Sequence, residues 1–78
     1  MKFSYKEQRE FETIDADIAA LEARIAQREG EMLACGSDYG KLQDLTKEQE
    51  ADQAALEEKM ERWLYLTDLA ERIAAQEG

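Results

Sequence analysis

The chain has 78 residues, of which 37% are charged, and a net charge of −9; it holds one cysteine and neither histidine nor proline. These numbers exclude an internal disulfide and a zinc site of cysteine and histidine, because one thiol cannot fill a tetrahedral shell. A chain this short forms one domain at most and struggles to bury a globular core without such cross-links. Its composition is typical of long helices and coiled coils, and we expect neither a membrane span nor a signal peptide.

The first predicted helix covers about residues 4–34. Ser4 and Glu7 form the S-x-x-E pattern of a capping box, in which each residue satisfies an N–H group at the start of a helix. Apolar residues then recur in alternating steps of three and four, which is the a/d pattern of a coiled coil. Arg28 occupies the one slot of this seam that lacks an apolar residue.

The stretch ACGSDYG predicts a turn at about residues 35–38. Gly36 suits the left-handed backbone that ends many helices. Ser37 is the predicted N-cap of the second helix, with Asp38 in its first turn. Because the connection is short, the two helices should be antiparallel neighbours.

The second predicted helix covers about residues 38–76 and has a less regular seam. Gln49 and Asp52 lie where the pattern calls for apolar residues. Polar seam residues cost stability but can fix the register of a coiled coil, so we expect a weak centre with partial fraying over residues 45–55. The apolar positions of this seam are Leu42, Leu45, Leu56, Met60, Trp63, Leu66, Ala70 and Ile73.

Both seams fit one all-α fold, an antiparallel two-helix coiled-coil hairpin that forms a single domain over residues 1–78. Facing residues then have numbers with a constant sum, and a sum near 74 satisfies both seams. A straight hairpin would be about 45–55 Å long at 1.5 Å per residue. The sum of 74 pairs Phe11 with Trp63, Ile18 with Leu56, Ile25 with Gln49 and Met32 with Leu42. The predicted core comprises Phe11, Ile14, Ile18, Leu21, Ile25, Met32, Leu42, Leu45, Leu56, Trp63, Leu66 and Ile73.

Most of the aromatic residues gather at the open end of the hairpin, where the two chain termini meet. They are expected to form an apolar plug that closes this end, or alternatively a docking surface for a neighbour. The residues of the plug are Phe3, Tyr5, Phe11, Trp63, Leu66 and Leu69.

No catalytic constellation is visible in the sequence. The serine and threonine hydroxyls lack a histidine to act as base, and the glycines lack the ending of a phosphate-binding loop. Cys35 is expected to be a free, exposed thiol near the turn. The chain itself is therefore predicted to be no enzyme and to hold no metal or cofactor.

Five basic residues project near the open end and are candidates for contacts with nucleic acid. Carboxylates accompany them, so the patch is mixed rather than basic, and the acidity of the whole chain opposes phosphate binding. The five candidates are Lys2, Lys6, Arg9, Arg62 and Arg72.

Three motifs carry a resemblance to a known family. FSYKEQREFETI resembles the opening of the C-terminal coiled-coil domain of Uup-type ATPases, which are ATP-binding cassette proteins of the ABC-F class. GSDYGKLQDL and EEKMERWLYL look like the hairpin tip and the ending of the same domain. The resemblance runs from Lys2 to about Ile73.

The resemblance implies a fold and a setting. ABC-F proteins are soluble, carry two ATP-binding cassettes and no membrane domain, and act on ribosomes in translation. Their C-terminal domain follows the second cassette and has been associated with DNA binding and with support of the parent's activity. By this resemblance the chain is part of a larger cytoplasmic ATPase, whose cassettes use ATP and magnesium and contact this domain in cis.

The functional hypothesis is a non-catalytic accessory module of an ABC-F ATPase that mediates contact with DNA or with the ribosome. The alternative is a structural, oligomerising or protein-docking coiled coil without nucleic-acid binding. A face with Ala51, Ala54 and Ala55 would let two hairpins pair into a four-helix bundle, so we expect a monomer or a weak homodimer.

Overall fold

Two long helices form an antiparallel hairpin in the computed structural model, which describes residues 2–77. Helix α1 spans Tyr5–Ala34 and helix α2 spans Tyr39–Glu77, with no strand in the part described. The predicted all-α hairpin is therefore confirmed. Its dimensions are 59 × 15 × 15 Å, longer than expected, because a 39-residue α2 alone extends about 58 Å at the helical rise.

The start of α1 is a capping box, as predicted. The Ser4 hydroxyl accepts a hydrogen bond from the Glu7 N–H at 3.1 Å, and the Glu7 carboxylate accepts one from the Ser4 N–H at 3.0 Å. Two N–H groups that the helix leaves free are thereby satisfied.

The turn differs from the prediction in one residue. Gly36 has the left-handed backbone expected of it, with φ of 61°. Ser37 does not cap α2; Asp38 does, since its carboxylate accepts a hydrogen bond from the Lys41 N–H at 3.1 Å. The Ser37 carbonyl already accepts from the Tyr39 N–H, so α2 begins one residue later than a Ser37 cap requires.

The core is narrow, because two helices can cover each other on one side only. Ile14, Ile25 and Leu66 are buried, and the other residues of the predicted core are half-buried. These half-buried positions of the predicted core are Phe11, Ile18, Leu21, Met32, Leu42, Leu45, Leu56, Trp63 and Ile73.

Two residues do not lie where the sequence suggested. Met60 is 51% exposed, and Lys59 takes the seam slot instead, because it continues the alternation of three- and four-residue steps. The Lys59 ammonium reaches the edge of the seam and contacts Asp17 at 3.3 Å. Tyr5 is exposed and stays outside the plug, in which the rings of Phe3 and Phe11 pack with centroids 5.2 Å apart.

The polar middle of the seam is buried and fully paired. The Gln49 amide donates to the carbonyl of Ile25 at 3.1 Å, and Arg28 donates to the Gln49 side-chain oxygen at 3.2 Å. Asp52 accepts from Arg28 at 2.5 Å and from Arg24 at 3.0 Å. We call Arg28, Gln49 and Asp52 the polar layer.

The polar layer also reports the register. Ile25 and Gln49 are one of the four pairs that the sum of 74 predicts. The other polar contacts between the helices join residues whose numbers add to between 72 and 80. The side chains that make these contacts are long, and the sums therefore range from two below to six above the predicted value.

Candidate nucleic-acid interface at the open end

The open end of the hairpin comprises the first turns of α1 and the facing part of α2. Arg62, on α2, reaches across to α1, where its Nε and Nη2 donate to the two carboxylate oxygens of Glu10 at 2.8 and 2.7 Å. Its guanidinium also lies 4.8 Å from the ring centroid of Tyr65. This two-pronged geometry is the strong form of an arginine–carboxylate contact.

The contact continues into the capping box. The Tyr65 hydroxyl donates to Glu7 at 2.6 Å, and Glu7 also accepts from the Ser4 N–H. Ser4, Glu7, Tyr65, Arg62 and Glu10 thus form one chain of contacts, which we call the open-end network. It ties the start of α1 to α2.

The open-end network shifts four pKa values. Hydrogen bonds from the Ser4 N–H and from the Tyr65 hydroxyl lower the pKa of Glu7. The bond between Tyr65 and Glu7 also raises the pKa of Tyr65. The bond from Arg62 lowers the pKa of Glu10, and Glu10 in turn raises the pKa of Arg62. Arg62 is therefore engaged inside the hairpin rather than available to a phosphate.

Arg72 has a looser engagement. It pairs with Asp68, four residues earlier on α2, at 3.0 Å, and both side chains are exposed. An exposed pair within one helix adds little stability, so Arg72 can exchange Asp68 for another anion at low cost.

The remaining three candidates are exposed and make no ion pair with residues 2–76. Lys6 and Arg9 are three residues apart on α1 and therefore lie on one face of the helix. Lys2 precedes that helix. The structure thus separates the five predicted residues into one engaged, one loosely paired and three free cations.

Two further lysines lie free at the opposite end. Lys41 and Lys47, in the first turns of α2, are exposed and make no ion pair within the same described part of the chain. Neither lysine is among the five candidates predicted from the sequence. Local sequence offered no clear signal, since each has a carboxylate three positions away on both sides.

The lone cysteine differs from the expectation in its exposure. Cys35 is a free thiol but is half-buried rather than exposed, because its sulfur turns back to the carbonyl of Glu31 at 3.3 Å. Residues 2–76 hold no group of three side chains suited to a metal ion. Neither helix, as far as the chain is described, has an apolar stretch that would cross a membrane.

Two long antiparallel helices with charged residues at both ends define a helical-hairpin domain. The chain belongs to the ABC transporter C-terminal domain family, whose model it matches over residues 2–68. It is 42% identical over 72 residues to an uncharacterized ABC transporter ATP-binding protein, YfmR, of Bacillus subtilis (strain 168). That match covers 92% of this chain and 11% of the relative. No solved structure matches the chain.

Proposed function

We propose that this domain brings nucleic acid, either DNA or ribosomal RNA, to the ABC ATP-binding protein of which it is the accessory C-terminal part. The observation that carries the proposal is the group of three free cations at the start of α1, Lys2, Lys6 and Arg9. Cations without a carboxylate partner contact phosphates without first breaking an ion pair.

The open-end network supports this role. It holds the first turns of α1 against α2, so Lys6 and Arg9 stand on a backbone that is fixed at its first turn. The rest of the chain is acidic and is repelled by phosphates, so only the open end approaches a nucleic acid closely. The hairpin would then meet a duplex end-on rather than along its length.

The setting of the proposal follows the resemblance in sequence. We place the larger protein in the ABC-F class of the Uup type, in the cytoplasm and in translation. Its two cassettes would bind ATP and magnesium and contact this domain in cis.

A titration of labelled nucleic acid tests the proposal. Fluorescence anisotropy is measured on a DNA duplex and on a ribosomal RNA stem-loop, at several salt concentrations. Three phosphate contacts predict weak binding whose logarithm falls with the logarithm of salt at a slope of about −3. Since the contacts are to phosphates, both ligands should bind, and any preference between them identifies the natural one.

Two matched double variants locate the contact. Lys6→Gln/Arg9→Gln removes two free cations at the open end, and Lys41→Gln/Lys47→Gln removes two at the tip. The first should weaken binding at least tenfold and reduce the salt slope by about two, while the second should have little effect. Equal losses from both variants, or no binding at low salt, would overturn the proposal.

A further inference from the structure

Leu33 is an unusually exposed apolar side chain on the surface of this hairpin. It lies in the last turn of α1 and is 87% exposed, the highest fraction among the large apolar side chains of the described residues. It is not isolated, because it lines a groove of about 450 Å³ together with Glu29, Met32 and Leu42. Met32 and Leu42 belong to the seam and are half-buried, so the groove opens directly onto the core.

A second depression of about 470 Å³ adjoins this groove. It shares Leu42 and is further lined by Gln43, Thr46, Lys47 and Glu50. Leu42, Thr46 and Glu50 follow one another at intervals of four residues and so lie along one side of α2. We call the two depressions together the tip groove; the first lies between the helices and is mainly apolar, and the second is lined by residues of α2 alone, which are polar except for Leu42.

The shape of the tip groove suits a third helix. A furrow between two packed helices receives the apolar side chains of an amphipathic helix at intervals of three and four residues. Contiguous apolar surface with polar rims is also more typical of a contact site than of scattered surface leucines.

The charge of this region restricts what can fill it. Residues 29–50 contain six carboxylates and two lysines, and the whole chain has a net charge of −9. Two copies would bring equal charges together, and a phosphate backbone would meet Glu29 and Glu50. A cationic ligand is instead attracted by Glu29 and Glu50; Lys47 lies beside Glu50, but the six carboxylates of this region outnumber its two lysines.

We propose that the tip groove binds a cationic amphipathic helix of another protein. An aliphatic or aromatic side chain of this partner packs between Leu33 and Leu42, and its lysine or arginine residues face Glu29 and Glu50. The site lies at the opposite end from the nucleic-acid contact and does not depend on it.

A designed peptide probes the tip groove without knowledge of the natural partner. The probe is a synthetic amphipathic helix of leucine and lysine, about 18 residues or five turns long. It is titrated at physiological salt into the nitrogen-15-labelled chain, and a peptide with glutamate in place of lysine is the charge control. We expect shifts of amide resonances confined mainly to residues 29–50, and no binding of the glutamate peptide.

Two leucine variants separate a groove from general electrostatic attraction. Leu33→Ala should weaken peptide binding about tenfold, as for an anchor side chain. Leu64→Ala removes another exposed leucine, which lies far along α2 and lines neither depression, and should change binding less than twofold. Neither variant changes the charge or removes a buried side chain.

Three outcomes would overturn the inference. Resonance shifts spread over the carboxylates of both helices, with no effect of Leu33→Ala, would reduce it to non-specific attraction. A dimer of the chain alone that Leu33→Ala abolishes in sedimentation would assign the groove to a second copy. Shifts of residues 29–50 on addition of the DNA duplex would assign it to nucleic acid.

Discussion

The polar layer and the open-end network use the same chemistry in different surroundings. In each, an arginine donates to a carboxylate across the two helices, at 2.5 Å between Arg28 and Asp52 and at 2.7 Å between Arg62 and Glu10. The side chains of the first pair are 13% and 11% exposed, and those of the second are 46% and 27% exposed. Burial, rather than contact distance, should therefore decide how much the free energy of unfolding falls when each carboxylate is removed.

Removal of the carboxylate from each pair gives the largest expected effect. Asp52→Ala leaves the guanidinium of Arg28 in the seam with only Glu48 and Gln49 as acceptors, and should lower the free energy of unfolding several times more than the loss of Glu10 does. Glu10→Ala removes the same charge at the exposed end and should cost about 0.5 kcal/mol. Urea denaturation of both variants checks the contrast, and equal costs would contradict the role given to burial.

Replacement of the whole polar layer should have the opposite sign. The triple variant Arg28→Leu/Gln49→Leu/Asp52→Leu should be more stable than the parent chain by about 2 kcal/mol, because apolar packing avoids the desolvation of buried charges. The seam would also lose the groups that distinguish one register from another. Distances between spin labels on the two helices should broaden in the triple variant; a single sharp distance would show that apolar packing alone sets the register.

The capping residues come next in size. Ser4→Ala removes the hydroxyl that accepts from the Glu7 N–H and should cost about 1 kcal/mol. Ser37→Ala is the control, because the structure gives the capping role at α2 to Asp38, and it should change stability by only a few tenths of a kcal/mol. A cost for Ser37→Ala as large as that for Ser4→Ala would contradict this assignment of the cap.

The smallest expected effect is a dependence on pH at the open end. The pKa values of Glu7 and Glu10 are lower in the hairpin than their ordinary value of 4.5, so their stabilisation is complete above pH 4.5 and is lost as the pH falls through the folded values. The pKa of Tyr65 is raised above 10.0, so its contribution is complete below pH 10 and is lost at higher pH.

Thermal melting between pH 3 and pH 7 checks the acid side. Glu7→Gln/Glu10→Gln should flatten the decline of the melting temperature below pH 4.5. Glu57→Gln/Glu61→Gln removes the same charge from an exposed stretch of α2 and serves as the control. Equal flattening in both double variants would show that the network contributes nothing beyond net charge.

Local sequence patterns predicted much of the fold. The alternation of apolar residues, the S-x-x-E motif and Gly36 each depend on neighbours within about one helical turn, and they led to the hairpin, the capping box and the approximate register. The two wrong positions have different causes, a contact with the other helix at Lys59 and a local backbone bond at Ser37. Lys59 replaces Met60 in the seam by reaching Asp17 on the other helix, and Ser37 loses the cap because its own carbonyl is engaged.

The candidate site was less visible in the sequence. The density of basic residues indicated the open end, but a count of charges does not show that Arg62 is held by Glu10. Equally, Gln49 and Asp52 suggested fraying because their partner, Arg28, lies more than twenty residues earlier in the chain. With these groups paired, amide hydrogen exchange over residues 45–55 should be as slow as around Leu66; fast exchange there would support the original prediction of fraying.

The narrow shape of the hairpin has a mechanical consequence. The hairpin is a rod 59 Å long and 15 Å wide, and the open-end network clamps α1 to α2 at one end of it. A rotation of a few degrees at that clamp moves the tip groove by several ångströms, whereas the clamp itself hardly shifts. A small rotation of a protein attached at the open end would therefore displace the tip over a larger distance than it displaces the open end.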